Sequence, residues 1–269
     1  MRKTEMRNPK STHIDTMSTL EMLKVIQEEN VRSVEAVNEQ LESIAQAVDA
    51  AAEAVRKGGR IIYLGCGTSG RLGVLDASEC PPTFGVTPDT VIGIIAGGDK
   101  CLRSASENAE DKGEVGVADL AALNPTANDF VLGISVAGGA AYVLDALKYA
   151  KSKGCTTAGL TSTEDSPLAQ IADIAIVTDT GAEVITGSTR MKAGTAQKLV
   201  LNMISTCAMV KQGYVYENLM INLKPSNIKL QARCIRIVSD ITGLPLKDAE
   251  KLLADNNWNI RSAVDAFNK

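Results

Sequence analysis

Apolar and polar positions along this chain alternate between two rhythms. Short unbroken apolar runs occur at Ile61–Leu64, Val91–Ile95, Phe130–Ile134, Thr157–Leu160 and Ile174–Val177. Their length and β-branched content predict strands buried on both faces, as in a parallel sheet covered by helices. Helical spacing fills the intervals at Gly70–Ser78, Leu102–Leu123, Ala141–Lys151 and Pro167–Ile171, and a long helix is expected from about Thr189 to Lys211. The alternation predicts an α/β fold, a three-layer sandwich around a five-stranded, mostly parallel sheet. Ligands in such sheets sit beyond the carboxyl ends of the strands, so loops 65–70, 96–100, 135–140 and 178–188 are expected to converge on one pocket.

The flanks differ in character. From Ser18 to Lys57 the pattern is helical, with Ser18 and Glu21 forming a capping box and Ser33 with Glu35 opening a second helix. Beyond Pro225, Ile228–Ser239, Leu246–Ala254 and Ile260–Phe267 read as three short amphipathic helices separated by Thr242-Gly243 and Asn256-Asn257. The expected division is a helical segment over 1–50, a sheet domain over 51–214 and a three-helix module over 225–269.

Composition narrows the partners. Hydrophobic residues make up 45% of the 269 positions but aromatics only 3%, so the core is built from Ala, Val, Ile and Leu. The net charge of −4 gives no electrostatic basis for nucleic-acid binding. Six cysteines show no Cys-x-x-Cys spacing and there is one histidine, His13, to which no role is assigned. That argues against zinc and for reduced thiols. The N-terminal MRKTEMRNPKST lacks the apolar core of a signal peptide, and no apolar run reaches the roughly 18 residues of a membrane span. The expectation is a soluble, cytoplasmic protein.

The chemistry concentrates after the first strand. Leu64-Gly-Cys-Gly-Thr-Ser-Gly-Arg71 joins a strand to a helix through a glycine-rich turn with two hydroxyls. Gly67, Thr68, Ser69 and Gly70 form a candidate anion cradle, because glycines admit close backbone approach and the helix start offers free N–H groups. No Gly-Lys-Ser/Thr follows as a P-loop requires, and Gly65-x-Gly67-x-x-Gly70 is a weak dinucleotide match. Downstream, Glu79-Cys80-Pro81-Pro82 sets a carboxylate beside a double proline, which marks a helix end and a rigid turn. Taken alone, Glu79 reads as a solvated residue, and Glu107, Glu110, Asp111 and Glu114 as an ordinary acidic helix face.

The stretch Gly65–Gly85 resembles the N-acetylmuramic acid 6-phosphate etherases of the sugar isomerase (SIS) superfamily. So do Thr4-Glu5-x-Arg7-Asn8, Ile95-Ala-Gly-Gly98, Glu107-x-Ala109-Glu110-Asp111, Asn218-Leu-Met220 and the long block Gly181–Met203. The resemblance covers nearly the whole chain. It implies a lyase that splits the D-lactyl ether at C3 of a 6-phosphorylated amino sugar by elimination and then hydration, with no metal or nucleotide cofactor. By motif position Glu79 matches the family's acid and Glu110 its base, with Glu107 the rival base at i, i+3. Glu183, Ser188 and Thr189 are expected to line a third wall, with Arg190 and Lys192 either contacting phosphate or pairing with acids. The C-terminal pattern resembles a ubiquitin-associated-type module, read as a structural cap or dimer element.

Two features complicate the resemblance. Where the family places Ala-Ser-Gly-Arg-Thr-Pro after the third strand, this chain has Val136-Ala-Gly-Gly-Ala-Ala141. Donors there are left to Ser135 and to a nest formed by the N–H groups of Gly138 and Gly139. Ser69 and Glu79 are also ten residues apart, about 15 Å along a straight helix. Either that helix breaks early or Glu79 serves a neighbouring subunit, and a homodimer with shared sites is the favoured expectation. The alternatives are a lyase or isomerase for another sugar 6-phosphate, and a sugar-phosphate-sensing regulator resembling the glucokinase regulatory protein.

Overall fold

The computed structural model describes residues 3–104, 108–223, 225 and 227–268. The chain divides into two compact units, Met1–Ser78 with Asp89–Ala208, and Glu79–Pro88 with Met209–Lys269.

Helix α1 (Thr19–Asn38) starts at the expected capping box: Ser18 and Glu21 satisfy each other's main-chain N–H groups. Ser33 does not open a second helix. It lies inside α1, fully buried, with Oγ donating to the Lys192 carbonyl at 3.2 Å. The break comes later, and α2 (Leu41–Arg56) lays Ile44, Ala47, Val48 and Ala51 against the sheet.

The sheet consists of β1 (Ile61–Gly65), β2 (Val91–Ile95), β3 (Phe130–Ile134), β4 (Thr156–Thr161) and β5 (Ile174–Val177). All pairings are parallel, in the order β2-β1-β3-β4-β5. Every residue of β1 and β3 is buried, as expected of central strands covered on both faces. The connecting helices are α3 (Gly67–Phe84), α4 (Lys100–Arg103), α5 (Gly113–Ala121), α6 (Ala141–Ser152) and α7 (Pro167–Ile171). Helix α8 (Lys192–Lys211) follows β5.

Three helix boundaries differ from the sequence expectation. Helix α3 begins at Gly67 and runs through Pro81 and Pro82 to Phe84. The prolines delete two N–H donors but fall in its last turn, and Gly85 N–H still closes on the Pro81 carbonyl at 2.9 Å. The helix expected over Leu102–Leu123 is instead two short helices, α4 and α5. Asn108 between them adopts a left-handed φ of 62°, which interrupts helical geometry. Helix α5 then starts at Gly113 and packs tightly on α6, where a Cβ on Gly116 would lie 2.1 Å from the Tyr142 carbonyl. Helix α8 starts three residues after Thr189, because residues 189–191 form a turn.

The second unit carries a hairpin that hydrophobic patterning did not suggest, β6 (Val215–Tyr216) with β7 (Leu219–Met220). Its three helices are α9 (Ile228–Thr242), α10 (Leu246–Asp255) and α11 (Ile260–Phe267). Asn227 and Asn259 cap α9 and α11, and Gly243 ends α9 with φ 73°. Cys234, Val238, Ala249, Leu253 and Ala263 form a separate small core. Among the described residues no helix is long and apolar enough to cross a membrane.

At the amino edge of the sheet, Asp129 (2% exposed) accepts from Arg60 N–H, Nε and Nη2 and from Thr126 N–H, at 2.8–3.0 Å. Burial pushes this carboxyl up, but these donors outweigh it and hold it below the usual carboxylate range. A depressed acid stabilises the fold above its unfolded pKa and loses that contribution as pH falls through the folded one. Asp129→Asn is therefore expected to cost about 2 kcal/mol near neutral pH. The difference from the parent, read by urea unfolding, should shrink as pH drops below about 4. Gly70→Ala is expected to cost about 1–3 kcal/mol by overpacking, since its Cβ would meet the Gly65 carbonyl at 2.5 Å. Chemical denaturation reads it directly, and an unchanged midpoint would mean that α3 shifts freely.

Candidate active site

The end of β1 and the start of α3 meet almost without separation. A Cβ on Gly70 would also press Ile95 Cγ1 at 2.7 Å, and one on Gly65 would lie 2.8 Å from Gly70 N. Gly67 takes a left-handed φ of 52°, with open space where a side chain would stand. The first turn of α3 thus lies on the carboxyl edge of the sheet, its leading N–H groups outside the helical ladder. Thr68 is half-buried there, and Ser69 is buried. Ser69 Oγ, expected to face a ligand, donates to Gln197 Oε1 on α8 at 3.0 Å.

Helix α8 lies against α3 along this line. Further along, Asp76 accepts from Asn202 Nδ2 at 2.6 Å and Ser205 Oγ at 3.2 Å. Burial dominates at Asp76 and pushes its carboxyl above the usual range. A Cβ on Gly194 would sit 3.3 Å from the Thr68 methyl, so the start of α8 borders the cradle. The half-buried Ser188 and Thr189 stand just before it, and Arg190 is exposed.

Glu183 has a different task from the one expected. It is fully buried, and its two carboxylate oxygens accept from the N–H groups of Lys192 and Ala193, both at 3.0 Å. It therefore caps α8, with burial pushing its carboxyl up. Lys192 is buried as well, and its ammonium pairs with Glu29. Asn8 Nδ2 donates to the same carboxylate at 2.7 Å and to the Ala182 carbonyl at 3.1 Å. Burial raises Glu29, but Lys192, Asn8 and Lys10 together hold it below the usual range. Lys192 is thus a structural partner of Glu29 rather than a phosphate contact.

The loop after β3 is partly closed to ligands. Gly138 N–H donates to the Ser135 carbonyl at 3.0 Å, and a side chain at Gly138 would collide with Ser166 at 2.3 Å. Gly138 is therefore spent in the turn and is not half of an anion nest. Gly139 is exposed and Ser135 half-buried at the edge of this turn. Glu110 lies in the turn before α5, not on a helix face, with its side chain exposed. Its carbonyl accepts from Tyr142 N–H at 3.0 Å, which ties Glu110 to the start of α6. Burial first, and then the nearby Glu110 and Asp111 carboxylates, push the Cys66 thiol up to about 12. Strands β1 and β3 are parallel neighbours, so α6 starts on the same edge of the sheet as α3, and Glu110 stands at that edge. Glu107, the rival base, lies outside the described residues.

Glu79 belongs to the second unit and is exposed on α3. Two cavities of about 620 and 590 Å³ lie elsewhere in the first unit, sharing Lys3 and Asp179 in their walls. Sequence reasoning missed Gln197, whose partner is 128 residues away and leaves no local signal.

Comparison with known proteins identifies the fold and the family. The family profile described as glucokinase regulatory protein N-terminal SIS domain matches residues 43–151, the SIS domain matches 110–206, and the TAP C-terminal domain matches 234–269. Among solved structures, the chain is similar to a phosphoheptose isomerase from Francisella tularensis (TM-score 0.55, 21% identity, 73% of this chain and 100% of that one). It is also similar to the Vibrio vulnificus NanR protein complexed with ManNAc-6P (TM-score 0.51, 16% identity, 73% of this chain and 65% of that one). These likenesses establish the fold. Curated relatives are much nearer. The N-acetylmuramic acid 6-phosphate etherase of Serratia proteamaculans (strain 568) is 53% identical over 260 residues, 97% of this chain and 88% of its own length. Etherase 1 of Bacillus licheniformis is 52% identical over 261 residues, 97% of this chain and 86% of its own. Identity of this extent across both units makes the chain a member of the N-acetylmuramic acid 6-phosphate etherase family.

Proposed function

We propose that this protein is a lyase that converts N-acetylmuramic acid 6-phosphate to N-acetylglucosamine 6-phosphate and D-lactate, serving peptidoglycan recycling in the cytoplasm. The observation that carries this reading is the anchoring of Glu110 by its own main chain to the start of α6, which follows β3 at the same sheet edge where α3 follows its parallel neighbour β1. Thr68, Ser69 and the leading N–H groups of α3 ahead of Gly70 hold the phosphate, with Gly67 and Gly70 admitting its close approach and Ser135, Gly139, Ser188 and Thr189 around it. The Gly70 N–H itself is engaged, donating to the Cys66 carbonyl at 3.3 Å. The Glu110 carboxylate removes the C2 proton of the open-chain aldehyde. The C3–O bond then breaks as the acid, Glu79, protonates the departing lactate oxygen. Water adds to C3 of the unsaturated aldehyde and C2 regains a proton. This chemistry needs one group acting as base and another as acid at neutral pH.

Glu79 is best supplied by a second copy of the chain. Helix α3 is unbroken from Gly67 to Phe84, and ten helical residues rise about 15 Å, more than a hexose 6-phosphate spans from its phosphate to C2. The functional unit is then a homodimer with shared sites. A sugar-phosphate-sensing regulator, the alternative favoured by the match to the glucokinase regulatory protein domain, needs the cradle but not the two carboxylates. Incubation with N-acetylmuramic acid 6-phosphate separates the two, since only the lyase releases D-lactate.

Glu110→Gln is expected to lower lactate release at least about 100-fold while product affinity stays within about threefold, because the amide keeps the shape without the basicity. Undiminished turnover would move the base to another residue. Glu79→Gln alone should be similarly impaired. Mixed with Glu110→Gln and allowed to exchange, it should restore about a quarter of the parental rate, since half of the dimers are mixed and each carries one intact site. No recovery after demonstrated exchange would place both carboxylates in one chain.

A further inference from the structure

The contact behind the cradle is incomplete in an informative way. Gln197 is 1% exposed and Ser69 6%, and the amide presents its oxygen to the Ser69 hydroxyl at 3.0 Å. The amide nitrogen, equally buried, has no hydrogen-bond partner among the described residues. A buried donor without a partner is costly and calls for an explanation. The amides and carboxylates further along the same helix pair are engaged, as in Asn202 with Asp76. The unsatisfied group is at the end of the α3–α8 seam where the cradle lies.

A primary amide has nearly the same shape in its two orientations but exchanges a donor for an acceptor. In the observed orientation, the Ser69 O–H points inward to Gln197 and has no proton to give a ligand. With the amide turned over, Nε2 donates to Ser69 Oγ and the O–H is freed to point outward. We propose that Gln197 is a positioning residue for the phosphate cradle, a two-way amide that sets whether Ser69 donates inward or to the anion. This deepens the etherase reading and rests on its placement of the phosphate at α3. The chain of donors, Gln197 Nε2 to Ser69 Oγ to phosphate oxygen, is also polarised by the anion, so the hydroxyl binds more strongly than it would alone.

A double-mutant cycle tests this, using calorimetric titration with N-acetylglucosamine 6-phosphate and with unphosphorylated N-acetylglucosamine. Ser69→Ala should weaken the phosphate about tenfold, the range for one hydrogen bond to a charged group. Gln197→Met, similar in volume but without polar atoms, should weaken it about fivefold, and the double variant should bind no worse than Ser69→Ala. The unphosphorylated sugar should change less than about twofold in all three, and for Gln197→Met KM should rise with kcat nearly constant. Losses that multiply in the double variant, or parental affinity in Gln197→Met, would overturn the proposal. Should Gln197→Met unfold, the isosteric Gln197→Glu decides. Its carboxylate only accepts and should cost more than tenfold in phosphate affinity, whereas parental affinity would overturn the proposal. If Ser69→Ala binds phosphate as the parent does while lactate release persists, the cradle assignment fails with the proposal and the lyase reading stands. Absence of lactate release from the parent would overturn that reading itself.

Discussion

The contact between Gly65 and Gly70 is the constraint on which the site depends. Neither position tolerates a Cβ, because each would press into the backbone of the other. Only that closeness lets α3 start directly from the central strand β1, with its first N–H groups at the sheet's carboxyl edge. A helix displaced by one side-chain layer would carry the same residues, but its electropositive end would face elsewhere. Once α3 is fixed, α8 follows through Ser69 with Gln197 and Asp76 with Asn202 and Ser205.

A second constraint is buried charge. Glu29, Lys192 and Glu183 are all nine-tenths buried or more, and together they hold α1, the segment after β5 and the start of α8. Such groups add little net stability, because desolvation offsets much of their attraction. Misplacing any one of them strands a charge in the interior, and that penalty fixes position. The N-terminal segment joins the same arrangement through Asn8, and Ser11 Oγ donates to the Val184 carbonyl at 2.7 Å. The turn bearing Ser188 and Thr189 is thereby held from both sides, since Gly187 N–H also reaches the Thr4 carbonyl at 3.2 Å.

What the sequence made legible follows from how local each determinant is. The five strands lie within a residue of expectation, because a strand covered on both faces reads as a short, nearly continuous apolar run. The capping box at Ser18 was readable for the same reason, since both of its partners lie within one turn. The ends of α3 and the break before α5 were not, because they depend on tertiary fit. Pro81 and Pro82 are tolerated where the helix is already ending, and Gly113 and Gly116 start α5 where it can approach α6. Glu183 shows the same limit. A carboxylate nine residues before a helix start reads as a site residue, and only the folded turn brings it back to cap that helix. The family resemblance supplied Glu79 and Glu110 as candidates, but their proposed roles need a partner chain or a substrate to be realised.

The first turn of α3 offers neutral donors, hydroxyls and backbone N–H groups, to any anion placed there. Arg71, the cation nearest it in sequence, donates its Nε to the Leu102 carbonyl at 3.1 Å, and Lys192 is committed to Glu29. A phosphate held by hydroxyls and backbone N–H groups keeps most of its negative field, whereas a lysine or arginine contact would cancel part of it. That field favours the protonated form of any carboxyl nearby and so makes its carboxylate a stronger base. A guanidinium in the 136–141 loop would cancel part of that field in the same way. On the proposed placement of the phosphate at α3, the Ala-Gly-Gly-Ala sequence found there leaves that field uncancelled.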